Sequence, residues 1–302
     1  ELLLFGGGTA TLSPLSAVHD AEFLVALVVE ESARTGSAQI LVRSASEVRA
    51  EWLLDAGAGE LSEVDELTWN AADARVERLT RLAYGNLILE ETRSLAAPSD
   101  AASHLLAKQV LAAGAEHFFE PGTLETLRVK VGLLRAAYPQ AGFETLDEAG
   151  LQALLESLCQ GLRSFQELRQ ARPSEALTGL LSPELRRALA AKTPDTLTLP
   201  GGRKVHVHYE PAQPPWCESR LQDFFGSASG PSLCDGRVPL TLHLLAPNGR
   251  AVQVTQDLAG FWERHYPALR RELSRRYPRH AWPEAPLTAQ PPTPSERRRG
   301  RG

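Results

Sequence analysis

Six arginines fall within sixteen residues near the end of the chain, and their chemistry suits contact with a phosphate backbone. Planar guanidinium groups pair with phosphate oxygens, and neighbouring aromatic rings can stack on bases. The interleaved aromatic residues here are Tyr266, Tyr277 and Trp282. We therefore predict a nucleic-acid contact through the six arginines, which are Arg264, Arg270, Arg271, Arg275, Arg276 and Arg279.

A second interpretation gives these arginines no ligand. Apolar residues recur at helical spacing through the same stretch, so the arginines also suit the solvated side of a helix whose other side is core. The apolar stripe consists of Phe261, Trp262, Leu269, Leu273 and Tyr277. Both interpretations hold together, because burial of the stripe is what would present the arginines to a partner.

A smaller group of side chains has the donor atoms of a zinc site. His206 and His208 alternate on a predicted strand, so both imidazoles fall on one face. The remaining ligands would be Cys217, Cys234 and His243. No C-x-x-C or H-x-x-x-H spacing accompanies them, and such spacing is typical of zinc sites. We favour a solvated strand face and predict no metal.

Motifs for catalysis are missing from the sequence. The glycines at 6–8 precede Thr9 and Ala10 rather than the Lys and Ser or Thr of a phosphate loop, so they predict a tight turn. The sequence also contains no DEAH or DEAD box and no G-x-S-x-G elbow. We predict no catalytic residue and no cofactor in this chain.

Composition and charge describe an ordinary globular chain with an uneven charge distribution. It has 302 residues, 43% of them apolar and 23% charged, which favours two or three domains. Residues 1–100 carry 7 Lys and Arg against 17 Asp and Glu, whereas residues 261–302 carry 10 against 4. Only the second segment suits an anionic partner.

Other bulk features bear on location and completeness. Three cysteines are few enough for a reducing, cytoplasmic compartment. The longest apolar run, Phe23–Val29, is too short to span a bilayer, so we predict no transmembrane segment. Because the sequence begins at Glu1 and contains no Met, we interpret it as part of a longer protein.

The predicted fold class is α+β. Residues 1–95 read as short strands, which predict a small β barrel of the OB type in which Phe23–Val29 is a buried strand. One helix interrupts these strands over residues 46–54, with Ser46 as its N-cap. Residues 96–192 predict an all-α section of five or six helices.

In the last third of the chain, the spacing of apolar residues changes again. Residues 193–288 predict a C-terminal α+β domain, with hairpins at Gly201-Gly202 and at Asn248-Gly249. A single helix is expected from Asp257 to Tyr277. Residues 289–302 predict a disordered basic tail.

The C-terminal domain carries a family resemblance. The runs RVPLTLHLLAPNGRAVQVTQDLAGFWERHY and RRYPRHAWPEAPL resemble the C-terminal domain of bacterial HrpB-type, DEAH-box ATP-dependent helicases. The similarity extends upstream through TLTLPGGRKVHVHYEPAQPP and SRLQDFFG, and more weakly through LSPELRRAL and LAYGNLILEE. The family pattern expects a run such as RIRLDY where this chain has KVHVHY, so the resemblance implies no metal role for these imidazoles.

The resemblance implies an accessory role. It implies two RecA-like motor domains, with ATP and magnesium, in the rest of the parent protein, and an OB-like domain plus C-terminal extension in this chain. The chain would help to close a nucleic-acid channel, with single-stranded nucleic acid, chiefly RNA, and its own motor domains as partners. The alternative is a module that braces the motor or binds a protein partner without touching nucleic acid, which the acidic N-terminal segment favours.

Overall fold

The computed structural model describes residues 1–34, 37–56 and 61–292. The predicted α+β class is confirmed, because strands and helices both form extensively within these residues. The chain divides into two compact units. Unit 1 comprises residues 1–109 and 159–167, and unit 2 comprises residues 110–158 and 168–302.

The first sheet of unit 1 has four strands in the order β1-β2-β4-β3. The strands are β1 (Leu2–Leu3), β2 (Thr9–Leu12), β3 (Phe23–Arg34) and β4 (Ser37–Val48). Strands β1 and β2 form a hairpin through Gly7 and Gly8, whose φ angles of 90° and 88° favour glycine. The tight turn predicted for these glycines is confirmed.

The helix that follows this sheet begins later than predicted. Ser46 lies inside β4, where it pairs with Val25 of β3, so it cannot cap a helix. The helix α1 runs from Ala50 to Ala56 instead. The sequence around Ser46 is compatible with either a helix or a strand, and pairing with β3 makes it part of the strand.

The second sheet of unit 1 is an antiparallel meander. Its strands are β5 (Leu61–Asn70), β6 (Arg75–Tyr84) and β7 (Leu87–Leu95), and the helix α2 (Asp100–Ala112) follows. The later segment 159–167 returns to this sheet, where the Val76 amide donates to the Arg163 carbonyl over 2.7 Å. In the same segment, the Phe165 ring lies 4.8 Å from that of Trp69. Unit 1 is therefore built from two separate stretches of chain.

The predicted barrel is wrong in its closure. A barrel needs one continuous ladder of strands, but among the described residues the ladder ends at β3 in one sheet and at β5 in the other. The predicted burial of Phe23–Val29 is wrong as well. Because β3 is an edge strand, Leu27 and Val28 are 63% and 50% exposed, and Val25 and Val29 are exposed with them.

Unit 2 contributes most of the helices. They are α3 (Thr123–Ala137), α4 (Glu148–Leu158), α5 (Phe165–Gln170, whose first three residues belong to unit 1), α6 (Pro173–Leu180) and α7 (Pro183–Lys192), with 3-10 turns at Ala115–Phe118 and Pro139–Ala141. The N-cap of α7 is Ser182, whose Oγ accepts from the Leu185 amide over 3.2 Å. The helix α4 begins at Glu148, where Asp147 Oδ1 caps it by accepting from the Gly150 amide over 3.0 Å.

A five-stranded sheet forms the C-terminal part of unit 2, in the order β14-β13-β10-β9-β8. These strands are β8 (Thr196–Thr198), β9 (Lys204–His208), β10 (Trp216–Arg220), β13 (Thr241–Leu245) and β14 (Ala251–Thr255); a small hairpin pairs β11 (Ser232–Leu233) with β12 (Val238–Pro239), and a 3-10 turn spans Leu221–Phe224. Both predicted hairpins are confirmed, and β10 and β13 are parallel. Apolar side chains bury one face of the sheet, namely Val205, Val207, Cys217, Leu242 and Leu244.

The single helix predicted from Asp257 to Tyr277 is two helices. The first, α8, spans Leu258–Arg264 and the second, α9, spans Tyr266–Arg276, with a break at His265. Proline has no amide hydrogen, so Pro267 cannot donate to the Glu263 carbonyl and the first helix cannot continue through it.

An ion-pair cluster around Asp235 joins helices to strands within unit 2. The Asp235 carboxylate accepts from Lys192 Nζ at 2.6 and 2.7 Å and from the Tyr138 hydroxyl at 2.6 Å. The Arg237 guanidinium lies 4.4 Å from the centre of the Tyr138 ring. These donors lower the pKa of Asp235, led by the hydrogen bond from Lys192. The cluster ties the ends of α3 and α7 to the β11–β12 turn.

Two further sequence predictions concern the C-terminal tail and the membrane. The basic tail predicted over residues 289–302 falls mostly beyond residue 292, outside the described part of the chain. Among the described residues, no helix is long and apolar enough to cross a membrane.

Candidate nucleic-acid interface

The loop before α8 holds the first predicted arginine in a local ion pair. Asp257 caps α8, with Oδ1 accepting from the Gly260 amide over 2.8 Å. Its other oxygen accepts from Arg264 Nη2 over 2.6 Å. The pKa of Asp257 is lowered first by the Gly260 amide and then by Arg264. Arg264 remains 61% exposed, but its charge is already matched by a carboxylate.

Arg270 forms hydrogen bonds to the segment that follows α9. Its Nε donates to the Trp282 carbonyl over 2.8 Å, and its Nη2 donates to Glu284 over 3.0 Å. Both partners lie in the segment after α9, so the guanidinium holds that segment against the helix. Arg270 is therefore the predicted site residue least able to turn towards a phosphate.

Three arginines are carried by the second half of α9, and we call Arg271, Arg275 and Arg276 the α9 arginine face. All three are exposed. Arg271 and Arg275 are one helical turn apart, and Arg276 is next in the chain. Arg271 Nε donates to the Pro267 carbonyl of its own helix at 3.3 Å, a contact that leaves its other donors pointing outward. Arginines in the last turn also suit the negative end of the helix dipole.

The sixth arginine is separated from this face. Arg279 lies beyond the end of α9, in the turn that leads to Trp282, and is exposed there. The structure thus brings together Arg271, Arg275 and Arg276, and it places Arg264, Arg270 and Arg279 apart from them.

The interleaved aromatic residues are mostly core rather than stacking surfaces. Tyr266 is 1% exposed and its hydroxyl donates to the Pro283 carbonyl over 2.9 Å. Trp282 is 9% exposed and its indole N–H donates to the Tyr277 carbonyl, also over 2.9 Å. The predicted apolar stripe is confirmed at Phe261, Trp262 and Leu273, which are buried, while Leu269 and Tyr277 are half-buried.

A second aromatic surface lies on the open face of the five-stranded sheet. The Trp216 ring is stacked between two imidazoles, with His208 at 3.8 Å and 10° on one side and His243 at 4.4 Å and 15° on the other. The His206 ring meets His208 edge-on at 5.0 Å. The Trp216 indole N–H donates to Glu210 Oε1 over 3.3 Å. We call His206, His208, Trp216 and His243 the imidazole–indole column.

The column is half-open to solvent. His206 is exposed, and the other three rings are partly exposed. Burial lowers the pKa of His208, and the neighbouring His206 lowers it further. The predicted solvated strand face is thus correct at His206, while Trp216 and its two stacked partners were not foreseen. The alternation in KVHVH and TLHLL could have indicated the two strands that carry the histidines. The short run WCESR gave no comparable indication of strand β10.

Among the described residues, no three His, Cys, Asp or Glu side chains are arranged to hold a metal ion. Cys217 and Cys234 are buried on the other side of the sheet and in the β11–β12 turn, and burial raises the pKa of the Cys217 thiol to about 12. Burial also raises the pKa of the Cys234 thiol.

Comparison with known proteins gives a consistent relationship. Residues 154–286 match the family HrpB_C, described as ATP-dependent helicase C-terminal. The chain is 29% identical to the ATP-dependent RNA helicase HrpB of Escherichia coli K12 over 293 residues, which is 95% of this chain and 36% of that protein.

Solved structures agree with the sequence relationship. A crystal structure of the E. coli DExH-box NTPase HrpB superposes with a TM-score of 0.62 at 28% identity, covering 97% of this chain and 36% of that one. A crystal structure of the Escherichia coli DEAH/RHA helicase HrpB gives 0.54 at 26% identity, covering 93% and 35%. The chain spans about a third of the length of these relatives.

Proposed function

We propose that this chain, whose residues 154–286 match the HrpB_C family, serves an HrpB-type ATP-dependent helicase as a non-catalytic, RNA-contacting accessory region. ATP and magnesium act in motor domains elsewhere in the parent protein, and this region helps to close the channel along which the strand moves. The observation that carries the RNA contact is the α9 arginine face.

The α9 arginine face has the properties of a phosphate contact. Its three arginines are exposed and are carried by one helix, which buried Leu273 anchors. A helix holds such groups in a fixed arrangement, so less rotamer freedom is lost on binding than from a loop. The face also lies in the part of the chain where basic residues outnumber acidic ones.

A binding titration with a charge-matched control tests the proposal. Fluorescence anisotropy at low salt would compare binding of a labelled 12-nucleotide oligo(A) RNA by the wild-type chain and by a variant with Arg271, Arg275 and Arg276 changed to Ala. The control changes Arg135, Arg186 and Arg187 to Ala, which removes the same charge from exposed positions of unit 2. We expect the first variant to bind at least about tenfold more weakly than the control, because affinity falls with every phosphate that the protein no longer neutralises.

Equal affinities for the two variants would show that only total charge matters and would reject the α9 arginine face. Arg270 is kept as Arg in both proteins, because its replacement would disturb the Trp282 segment and confuse the result.

A second function, in which the chain braces the motor or binds a protein, is favoured by β3. Its apolar side chains Val25, Leu27, Val28 and Val29 are exposed, and an exposed apolar edge of this length is typical of an interaction surface. The acidic charge of residues 1–100 also disfavours RNA at this end of the chain. Binding of purified HrpB motor domains to the chain, abolished by Leu27→Asp and unaffected by RNA, would support this role.

A further inference from the structure

The open face of the five-stranded sheet carries features that the α9 arginine face does not use. Four rings stand in one connected column across β9, β10 and β13, and none is fully buried. Apolar residues bury the opposite face of the same sheet, so the column has rigid support. An aromatic column of this kind has contact area without the rotamer freedom that long side chains lose on binding.

Both faces of the Trp216 indole are already covered by imidazoles. A further ring can therefore add only at an end of the column. One end is the outer face of His243, next to Val254, its cross-strand partner on β14, which is 50% exposed. A flat ring placed there would stack on an imidazole and cover the exposed Val254 side chain.

The polar groups around the column suit a nucleotide better than a peptide. Lys204 and His206 lie on the same side of β9, and Arg203 precedes them, all exposed. Cationic groups here can meet a phosphate, while exposed Glu218, in register with His243, can accept from the amino group of a base. The face holds few aliphatic side chains, and a protein contact would draw on those.

We infer that single-stranded nucleic acid crosses this sheet face, with a base stacked on His243 at the end of the imidazole–indole column and its phosphates near Lys204. The inference rests on the proposed RNA contact and adds a base-stacking surface to it. Stacking on aromatic rings accepts any base, so the surface fits a strand that must move through a helicase irrespective of sequence.

Two variants at one position test the stacking. His243→Ala removes the ring, and His243→Phe keeps a ring without its imidazole nitrogens. We expect His243→Ala to bind labelled 12-nucleotide oligo(A) roughly fivefold or more weakly than wild type, and His243→Phe to bind within about twofold of it. An abasic 12-nucleotide strand should bind wild type and His243→Ala alike, because it offers phosphates without bases. His19→Ala, an exposed histidine of unit 1, is the control.

Indole N–H signals provide a readout that does not depend on affinity. The chain has five tryptophans, and Trp216→Phe identifies the Trp216 signal in an amide correlation spectrum. Addition of oligo(A) should shift that signal in wild type, whereas the abasic strand should leave it unmoved.

Three results would overturn the inference. Equal oligo(A) affinity of wild type and His243→Ala, with the α9 arginine variant impaired, would reject stacking and keep the proposed RNA contact. Failure of wild type to bind either strand would reject both proposals. Failure of His243→Ala to bind purified HrpB motor domains, with RNA affinity unchanged, would assign the face to a protein contact. Circular dichroism melting curves would first establish that each variant is folded.

Discussion

Arg271, Arg275 and Arg276 differ from Arg264 and Arg270 in what their guanidinium groups already hold. Spacing in the sequence identifies a basic stretch, but it does not reveal which charges are matched internally. Arg264 pairs with a residue seven positions before it and Arg270 with one fourteen positions after it, and both pairings depend on the folded chain. The predicted contact set therefore narrows to the α9 arginine face.

Arg270→Ala should cost stability rather than RNA affinity. The change removes the hydrogen bonds to Trp282 and Glu284, and removal of charged hydrogen bonds of this kind lowers Tm by about 2–4 °C in a chain of this size. Differential scanning calorimetry measures the shift, and anisotropy with oligo(A) measures the affinity. An unchanged Tm with a large fall in RNA affinity would show that Arg270 does contact phosphate.

At the scale of elements, sequence patterns predicted the strands and helix ends that are determined by neighbouring residues. The hairpin at Asn248-Gly249 is an example, since alternation predicted both of its strands. The break before Pro267 had a signal in the sequence, since proline ends a helix one turn before itself. Strand β10 had no such signal in the sequence. Its partner β13 lies in parallel register twenty-five residues further on, and no local pattern encodes that pairing.

The Asp235 cluster predicts a pH-dependent stability of unit 2. Its partners lower the pKa of Asp235 below an ordinary value near 3.8, so the cluster stabilises the folded chain above that pH and loses its effect as the pH falls through the lowered pKa. Asp235→Asn should therefore lower Tm at pH 7, and the difference from wild type should shrink as the pH falls below 3.8. A Tm difference that stays constant from pH 7 to well below pH 3.8 would contradict this account.

A matched pair of substitutions tests the exposed edge of unit 1. Leu106, in α2, is 0% exposed, whereas Leu27, in β3, is 63% exposed. Leu106→Ala should lower the free energy of unfolding by about 2–5 kcal/mol, and Leu27→Ala by less than about 0.5 kcal/mol. Urea denaturation measures both. A decrease of more than about 1.5 kcal/mol at Leu27 would mean that this side chain is covered in solution.

At the scale of the whole molecule, the family resemblance agrees with the match to HrpB_C over residues 154–286, whereas the sequence could not settle the closure of the N-terminal sheets. Closure depends on pairing between β3 and the strands around β5, and the alternation within each strand is the same in an open and a closed arrangement. Charge is the whole-molecule property that the sequence does determine. It is net −10 over residues 1–100 and +6 over residues 261–302, which directs an anionic partner to the C-terminal part.

The salt dependence of RNA binding tests the central claim most directly. Phosphate contacts release counterions, so the slope of log K against log salt reports how many phosphates a protein neutralises, about 0.7 per contact for a single strand. If Arg271, Arg275 and Arg276 each meet a phosphate, their replacement by Ala should make the slope shallower by about 2, and the Arg135, Arg186 and Arg187 control should keep the wild-type slope. Identical slopes for wild type and the α9 variant would contradict the account.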